Sequence, residues 1–138
     1  MPEHKADHSH IEQGTHEQMM MHQMMNNSHH MMHHEHLVRT IQDCEATCEH
    51  MTTHLKHRQD VHARVVQLQL LRDCADICGL TAKYIARNSV FAKGAANLCA
   101  YICEMCGREC ARFPDMESQN CARVCLHCAQ QCRMFTMM

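Results

Sequence analysis

Two stretches near the C-terminus decide the fold: LCAYICEMCGREC (residues 98–110) and NCARVCLHCAQQC (residues 120–132). In each stretch the four cysteines follow the same spacing, at relative positions 0, 4, 7 and 11. Because an α-helix turns by about 100° per residue, these positions fall within roughly 60° of one another around its axis. Each stretch therefore predicts a helix that carries one straight column of thiols along a single face.

Two earlier segments carry shorter versions of the same column. Cys44 and Cys48 are four residues apart, and so are Cys74 and Cys78. Over residues 37–135, apolar residues and cysteines recur at spacings of three, four and seven, and no stretch alternates with the period of a strand. The pattern predicts four helices with their thiols on the buried faces. These helices are expected over about residues 37–57, 61–88, 90–112 and 117–135.

The breaks between the predicted helices are short. Asn88 and Ser89 are residue types that can cap the start of a helix, and Pro114 is typical of the position after a helix end. Short connections make consecutive helices antiparallel. The predicted fold is therefore all-α, an up-down-up-down antiparallel four-helix bundle.

The first 36 residues differ in composition from the rest of the chain. Ten of them are His and eight are Met, and there is almost no Leu, Ile, Val or aromatic residue. Such a segment cannot bury enough apolar surface to offset the loss of chain entropy. We predict a largely disordered His/Met-rich tail over residues 1–36, with helix beginning from about Ser28, and a Cys-lined bundle over residues 37–138.

Composition excludes several classes of function. The net charge of −2 and the lack of a Lys/Arg cluster argue against nucleic-acid binding, and no window is apolar enough to span a membrane. The N-terminus does not resemble a signal peptide, so we expect a cytoplasmic protein with reduced thiols. No arrangement of nucleophile and base indicates an enzyme.

Twelve cysteines on one helical register indicate metal binding better than packing or disulfides. Side chains at i and i+4 have Cβ atoms ~5–6 Å apart, whereas a disulfide needs ~3.8 Å. Two thiolates on one metal ion need only lie within two bonds of ~2.3 Å each. Soft thiolates favour copper(I), which accepts two sulfur ligands and so suits a CxxxC pair. The predicted metal ligands are Cys44, Cys48, Cys74, Cys78, Cys99, Cys103, Cys106, Cys110, Cys121, Cys125, Cys128 and Cys132.

Zinc is the main alternative metal. Cys103, Cys106, Cys125 and Cys128 match the pattern C-x2-C-x18-C-x2-C, which is typical of a structural zinc site. A zinc knuckle is usually a turn, however, and the helical columns explain eight cysteines where the zinc pattern explains four. A structural zinc-binding protein and a copper chaperone or sensor stay open as alternatives to a copper store.

The repeated CxxxC helices, including LRDCADIC (residues 71–78), resemble the bacterial copper storage proteins. The resemblance covers about residues 37–135. It implies storage or sequestration of several copper(I) ions per chain on the twelve cysteines, without catalysis. It also implies a homotetramer and, with no signal peptide, the cytosolic kind of member.

This chain departs from the family at positions where other members often continue their cysteine columns. Met51, Leu55, Leu70 and Thr81 stand on the stripes of the first two helices. A store denser toward the turn between helices two and three is therefore expected. The sequence leaves open whether Met51 ligates metal and whether His54, at the edge of its stripe, assists metal uptake. It also suggests that the tail captures copper for the bundle.

Overall fold

The computed structural model describes the backbone of residues 2–138 and the side chains of residues 16–21 and 34–138. Within residues 2–138 the regular elements are helices, as predicted. A short 3-10 helix, Val61–Arg64, precedes the second α-helix. The α-helices are α1 (Pro2–Lys56), α2 (Val65–Ala86), α3 (Ala92–Ala111) and α4 (Met116–Thr136). Among the described residues, no helix has both the length and the hydropathy needed to cross a bilayer.

The chain divides into two compact units, residues 1–33 and residues 34–138. In the first unit, the described side chains include Met19, Met20 and Met21, which are exposed. The first helix begins at Pro2, well before the start that the sequence predicted at about residue 37. The predicted disorder of residues 1–36 stays a prediction, since the side chains of residues 1–15 and 22–33 lie outside the described part. The second unit contains all twelve cysteines.

Sulfur contacts fix the direction of the helices in the second unit. Cys74 of α2 lies 3.5 Å from Cys103 of α3, and Cys78 lies 3.8 Å from Cys99, measured between Sγ atoms. Residue numbers rise along α2 as they fall along α3, so the two helices are antiparallel. The contacts between α3 and α4 and between α1 and α4 run in the same opposed sense. The predicted up-down-up-down bundle is confirmed.

The connection between α2 and α3 is set by a left-handed residue. Asn88 has a φ of 54° and donates its N–H to the carbonyl of Ile85 at 3.0 Å, while the N–H of Ser89 bonds to the carbonyl of Tyr84 at 2.9 Å. This is the Schellman motif that ends a helix, and Asn tolerates the left-handed conformation. The predicted role of Asn88 at the start of α3 is therefore wrong. Only Ser89 contributes there, with Oγ accepting from the N–H of Phe91 at 3.1 Å.

The start of α4 is capped by a carboxylate. Asp115 adopts extended backbone angles, and its Oδ2 accepts the N–H of Ser118 at 3.1 Å. An acidic cap satisfies one of the free N–H groups of the first turn and complements the positive end of the helix dipole. Pro114 lies between α3 and this cap, in the connection where the sequence predicted a break.

Small residues let α3 and α4 approach closely. A Cβ added at Gly107 would lie 2.8 Å from Cγ of Leu126 and 3.2 Å from the carbonyl oxygen of Ala122. Both distances are shorter than ordinary van der Waals contact. The close approach brings the cysteine columns of the two helices within sulfur contact.

Replacing Gly107 by alanine should lower the free energy of unfolding by about 1–3 kcal/mol, because the new methyl group overpacks the α3–α4 interface. Gly94 lies in the same helix, and a methyl group added there would meet no other atom within 4 Å. Gly94→Ala should therefore raise stability by about 0.5–1 kcal/mol through the entropy of the unfolded chain. Denaturant unfolding of the reduced apo-protein measures both changes, and equal effects of the two substitutions would contradict the close approach.

Candidate metal centre

The structure places every predicted thiol in the interior of the bundle. All twelve cysteines are free, and each has a relative exposure of 0%. The columns on α3 and α4 face one another because the 0, 4, 7, 11 spacing keeps each on the single face that the bundle buries. His50, His57 and His127 lie on exposed faces, away from the thiol columns.

The sulfur atoms form a network of near contacts. Distances between neighbouring Sγ atoms run from 3.5 to 3.9 Å, with Cys48–Cys125 and Cys78–Cys103 both at 3.6 Å. Such distances are far longer than a disulfide bond of ~2.05 Å. They are shorter than the ~4.6 Å spanned by two metal–sulfur bonds in a line. One soft ion between two of these thiols would need only a small outward movement of the sulfur atoms.

Nine of the twelve thiols gather into three groups, and the sulfur atoms of each group lie within 4.8 Å of one another. The first group draws one residue from each of the four helices. Cys44 belongs to two of the groups, and so does Cys128. The groups are Cys44, Cys78, Cys103 and Cys128; Cys44, Cys48, Cys74 and Cys125; and Cys99, Cys128 and Cys132.

Contacts within a helix are only part of this arrangement. The CxxxC pairs Cys99–Cys103 and Cys121–Cys125 are in direct sulfur contact, at 3.7 and 3.9 Å. The groups, by contrast, join thiols from two to four helices. The sequence indicated the pairs but not the groups, because the relative rotation and stagger of the helices do not follow from spacing along one chain segment.

The residues of the zinc-like pattern do not form one site. Cys103 and Cys128 belong to one group and Cys125 to another, and Cys106 belongs to none of the groups found among the described side chains. A structural zinc ion needs four ligands around a single point. The structure therefore does not favour the C-x2-C-x18-C-x2-C interpretation.

Comparison with known proteins gives the family. The sequence model of the copper storage protein family matches residues 29–137, which is more than half of the chain. The chain belongs to the copper storage protein family. The match begins inside the His/Met-rich segment, so the first 28 residues lie outside it.

The chain is also similar in sequence to a curated protein. A curated relative, the uncharacterized cysteine-rich protein YhjQ of Bacillus subtilis (strain 168), is 40% identical over 70 residues. The match covers 51% of this chain and 65% of that protein, so it spans just under two thirds of the relative's length.

Solved structures of copper storage proteins share the fold. The Cu(I)-bound copper storage protein BsCsp3 is 37% identical, with a TM-score of 0.71, and the match covers 74% of this chain and 96% of that one. Apo copper storage protein 3 from Bacillus subtilis is 38% identical, with a TM-score of 0.70 and coverage of 74% and 97%.

Neighbouring thiols perturb one another's acidity. Hydrogen bonding to Cys103 lowers the pKa of the Cys74 thiol, and hydrogen bonding to Cys128 raises the pKa of Cys103. A few thiolates can therefore be stabilised by S–H donors around them, whereas ionising the last thiols would crowd negative charge into a dry interior. In this family member, bound cations would neutralise that charge.

Buried polar side chains close one end of the thiol columns, and the sequence reasoning missed them. Arg64, Gln67 and Ser118 have exposures of 2%, 0% and 0%. Gln67 lies on the α2 stripe seven residues before Cys74, and its Nε2 is 3.4 Å from Sγ of Cys110. A polar residue on an otherwise buried stripe is the feature of the sequence that could have indicated this end, since buried polar groups need specific hydrogen-bond partners.

Asp115 holds this polar end in place. Burial raises its pKa, but hydrogen bonds from Ser118 and Arg64 outweigh that effect and bring the pKa down to about 2. Nη2 of Arg64 lies 2.9 Å from Oδ1 of Asp115. The carboxylate is therefore ionised at any physiological pH, and it forms a charge-assisted pair with a buried guanidinium.

The two undecided ligands of the sequence analysis lie at or near this end. Met51 is 2% exposed and packs in the core on the α1 stripe. Nε2 of His54 lies 3.8 Å from Oε2 of Glu117 and has no hydrogen-bond partner. Together with Asp115, His54 and Glu117 place three ligand atoms within 4.8 Å of one another.

Proposed function

We propose that this chain stores copper(I), with the twelve buried cysteines as its ligands. The observation that carries the proposal is the connected sulfur network, in which neighbouring thiols lie 3.5–3.9 Å apart and two residues belong to more than one group. Shared ligands suit a cluster of several ions rather than isolated sites. The similarity to a Cu(I)-bound copper storage protein supports the same metal.

Charge supports copper(I) over zinc as the stored metal. Zinc in a structural site takes four ligands, so twelve thiolates around three zinc ions would leave a net charge of about −6 in the core. The fully buried cation near the thiols is Arg64, which cannot balance that charge. Six copper(I) ions on separate thiolate pairs would leave the same charge, but a thiolate that bridges two ions lets more copper(I) load and reduces the charge further. Cys44 and Cys128, which each belong to two thiol groups, are placed for such bridging. The role is non-catalytic.

An anaerobic titration of the reduced protein with copper(I), against a competing chelator, tests the store. We expect tight binding of ~6 or more ions per chain, since each CxxxC pair offers the two thiolates that one ion needs. Binding should also raise the thermal midpoint, because ions bound only to the folded state stabilise it. A plateau at one or two copper ions would indicate a chaperone or sensor, and preferential binding of zinc would indicate a structural zinc protein.

The ligand assignment predicts that two cysteine-to-alanine substitutions will differ in their effect on copper capacity. Cys44 belongs to two thiol groups, whereas Cys121 belongs to none of those found among the described side chains, and both are fully buried. Cys44→Ala should therefore remove more copper from the plateau of the titration than Cys121→Ala. The ratio of bound copper to protein gives the comparison directly, and equal losses would contradict the grouping.

The His/Met-rich segment has a proposed role in copper capture. Imidazole and thioether bind copper more loosely than buried thiolates, and the described residues Met19, Met20 and Met21 expose their side chains. Deleting residues 1–33 leaves His34, which packs edge-on against Phe135, in the bundle unit. Copper loading from a weak donor should slow while capacity stays the same. An unchanged loading rate would refute the capture role.

The proposed function also concerns the cellular location of the protein and its assembly. We infer a cytoplasmic location, because twelve unpaired thiols need a reducing environment to stay available for metal. We also propose a homotetramer, as the family resemblance implies, with the exposed apolar side chains of Val65 and Val66 on α2 as part of its contact.

A further inference from the structure

Arg64 is a buried cation at the end of the bundle where the α1–α2 and α3–α4 connections meet. Its Nε lies 3.1 Å from Oδ2 of Asp60, and its Nη2 lies 2.9 Å from Oδ1 of Asp115. Its Nη1 contacts Oγ of Ser118 at 3.2 Å. The guanidinium also stacks 4.0 Å from the centre of the Phe113 ring. Each nitrogen of the guanidinium thus has a hydrogen-bond partner, and the contacting residues come from separate parts of the chain.

A single side chain separates this guanidinium from the metal-binding thiols. Gln67 accepts from Nη1 of Arg64 at 3.0 Å, and its own Nε2 donates to Ser118 at 2.9 Å and lies 3.4 Å from Sγ of Cys110. Arg64, Gln67 and Ser118 together, here termed the polar plug, therefore close the thiol columns at Cys110. A metal ion cannot reach Cys110 along the bundle axis while the polar plug keeps these contacts.

The opposite end of the bundle is closed by apolar side chains. Leu37, Ile85 and Phe135 are 8%, 2% and 8% exposed, and they stand between solvent and the end of the columns at Cys99. His34 packs on Phe135 at this end, but an ion that moved inward from it would cross apolar side chains, which is costly for a charge. The polar end carries oxygen and nitrogen atoms that can bind a cation as it passes. It is therefore the favourable route for a cation.

One carboxylate links the outside of the polar end to the plug. Asp115 pairs with Arg64, and one of its oxygens also lies within 4.8 Å of ligand atoms of His54 and Glu117. Nε2 of His54 is buried and has no hydrogen-bond partner, so an ion bound at this end would supply the partner that it lacks. A cation bound there would compete with Arg64 for Asp115 and weaken the contact that holds the plug closed.

We propose that the Arg64–Asp115 ion pair is a latch that controls how fast copper(I) enters and leaves the store. The closed pair seats the polar plug over Cys110, and its opening exposes Cys110 and Cys121 to incoming copper or to an acceptor. Arg64 and Asp115 are positioning residues, since they act through Gln67 and do not ligate the stored metal. This inference rests on the proposed storage function.

Asp115→Asn tests the latch in the full-length protein. Asparagine keeps the size of the side chain and the capping of Ser118 but removes the charge that pairs with Arg64. The loss of one charge-assisted interaction should speed both copper loading and extraction by a chelator by about tenfold. Capacity and affinity should stay unchanged, because a latch alters the rates in both directions equally. Stopped-flow extraction from copper-loaded protein and equilibrium competition measure the two quantities.

Phe135→Leu is the matched control at the apolar end. It perturbs a packed residue at the other mouth of the bundle and should leave both rates near those of the unmodified protein. Arg64→Lys keeps the charge but cannot reproduce the forked contacts of arginine, so it should also speed exchange. Circular dichroism shows whether Asp115→Asn is folded. If that variant unfolds, Arg64→Lys is used in its place.

Three results would overturn the latch: unchanged rates in both latch variants, equal acceleration in Phe135→Leu, or lower affinity with only extraction accelerated. The last result would mean that the polar end stabilises bound metal rather than controlling its passage. Failure of the storage function itself is distinguishable, since it would appear as low copper capacity in the unmodified protein.

Discussion

The burial of thiols along helical seams is the constraint on which the rest of the structure depends. A cysteine side chain is small, and twelve of them replace the large apolar residues that usually fill a bundle. The helices can therefore approach closely, and Gly107 against Leu126 and Ala122 shows how little space is left. In return, the sulfur atoms of neighbouring helices come within 3.5–3.9 Å of one another. The atoms that fill the core are therefore the proposed metal ligands.

The bundle that holds this proposed site has two different ends. Apolar side chains at one end seal the columns as in any globular core, with Phe135 and Leu37 in that role. At the other end, a buried guanidinium is tolerated only because Asp60, Asp115, Gln67 and Ser118 supply its hydrogen bonds. A charge-assisted hydrogen bond needs a particular geometry, and a carboxylate can give up one cation for another. Apolar packing offers no such exchange of partners.

Family membership and thiol geometry support the same function by independent routes. The family match extends over residues 29–137 and does not depend on any distance in the structure. The thiol groups, in turn, follow from the packing of the helices and would suggest a cluster of soft ions without any relative. The zinc-like pattern shows the value of having both, since its four cysteines match a known spacing yet divide between different groups.

The sequence by itself determined the four helices of the bundle, their order and the inward direction of the thiols, because a spacing of 0, 4, 7 and 11 admits only one helical face. It did not determine the start of the first helix, which it placed at about residue 37 and the structure has at Pro2. It did not determine the end of α2, where Asn88 adopts a left-handed conformation that depends on the local chain path. Only the tertiary structure decided which thiols meet, since Cys44 joins Cys78, Cys103 and Cys128 through the rotation and stagger of four separate helices. It also decided the placement of Arg64 over Cys110, because a buried cation is stable only where several distant residues converge to satisfy it.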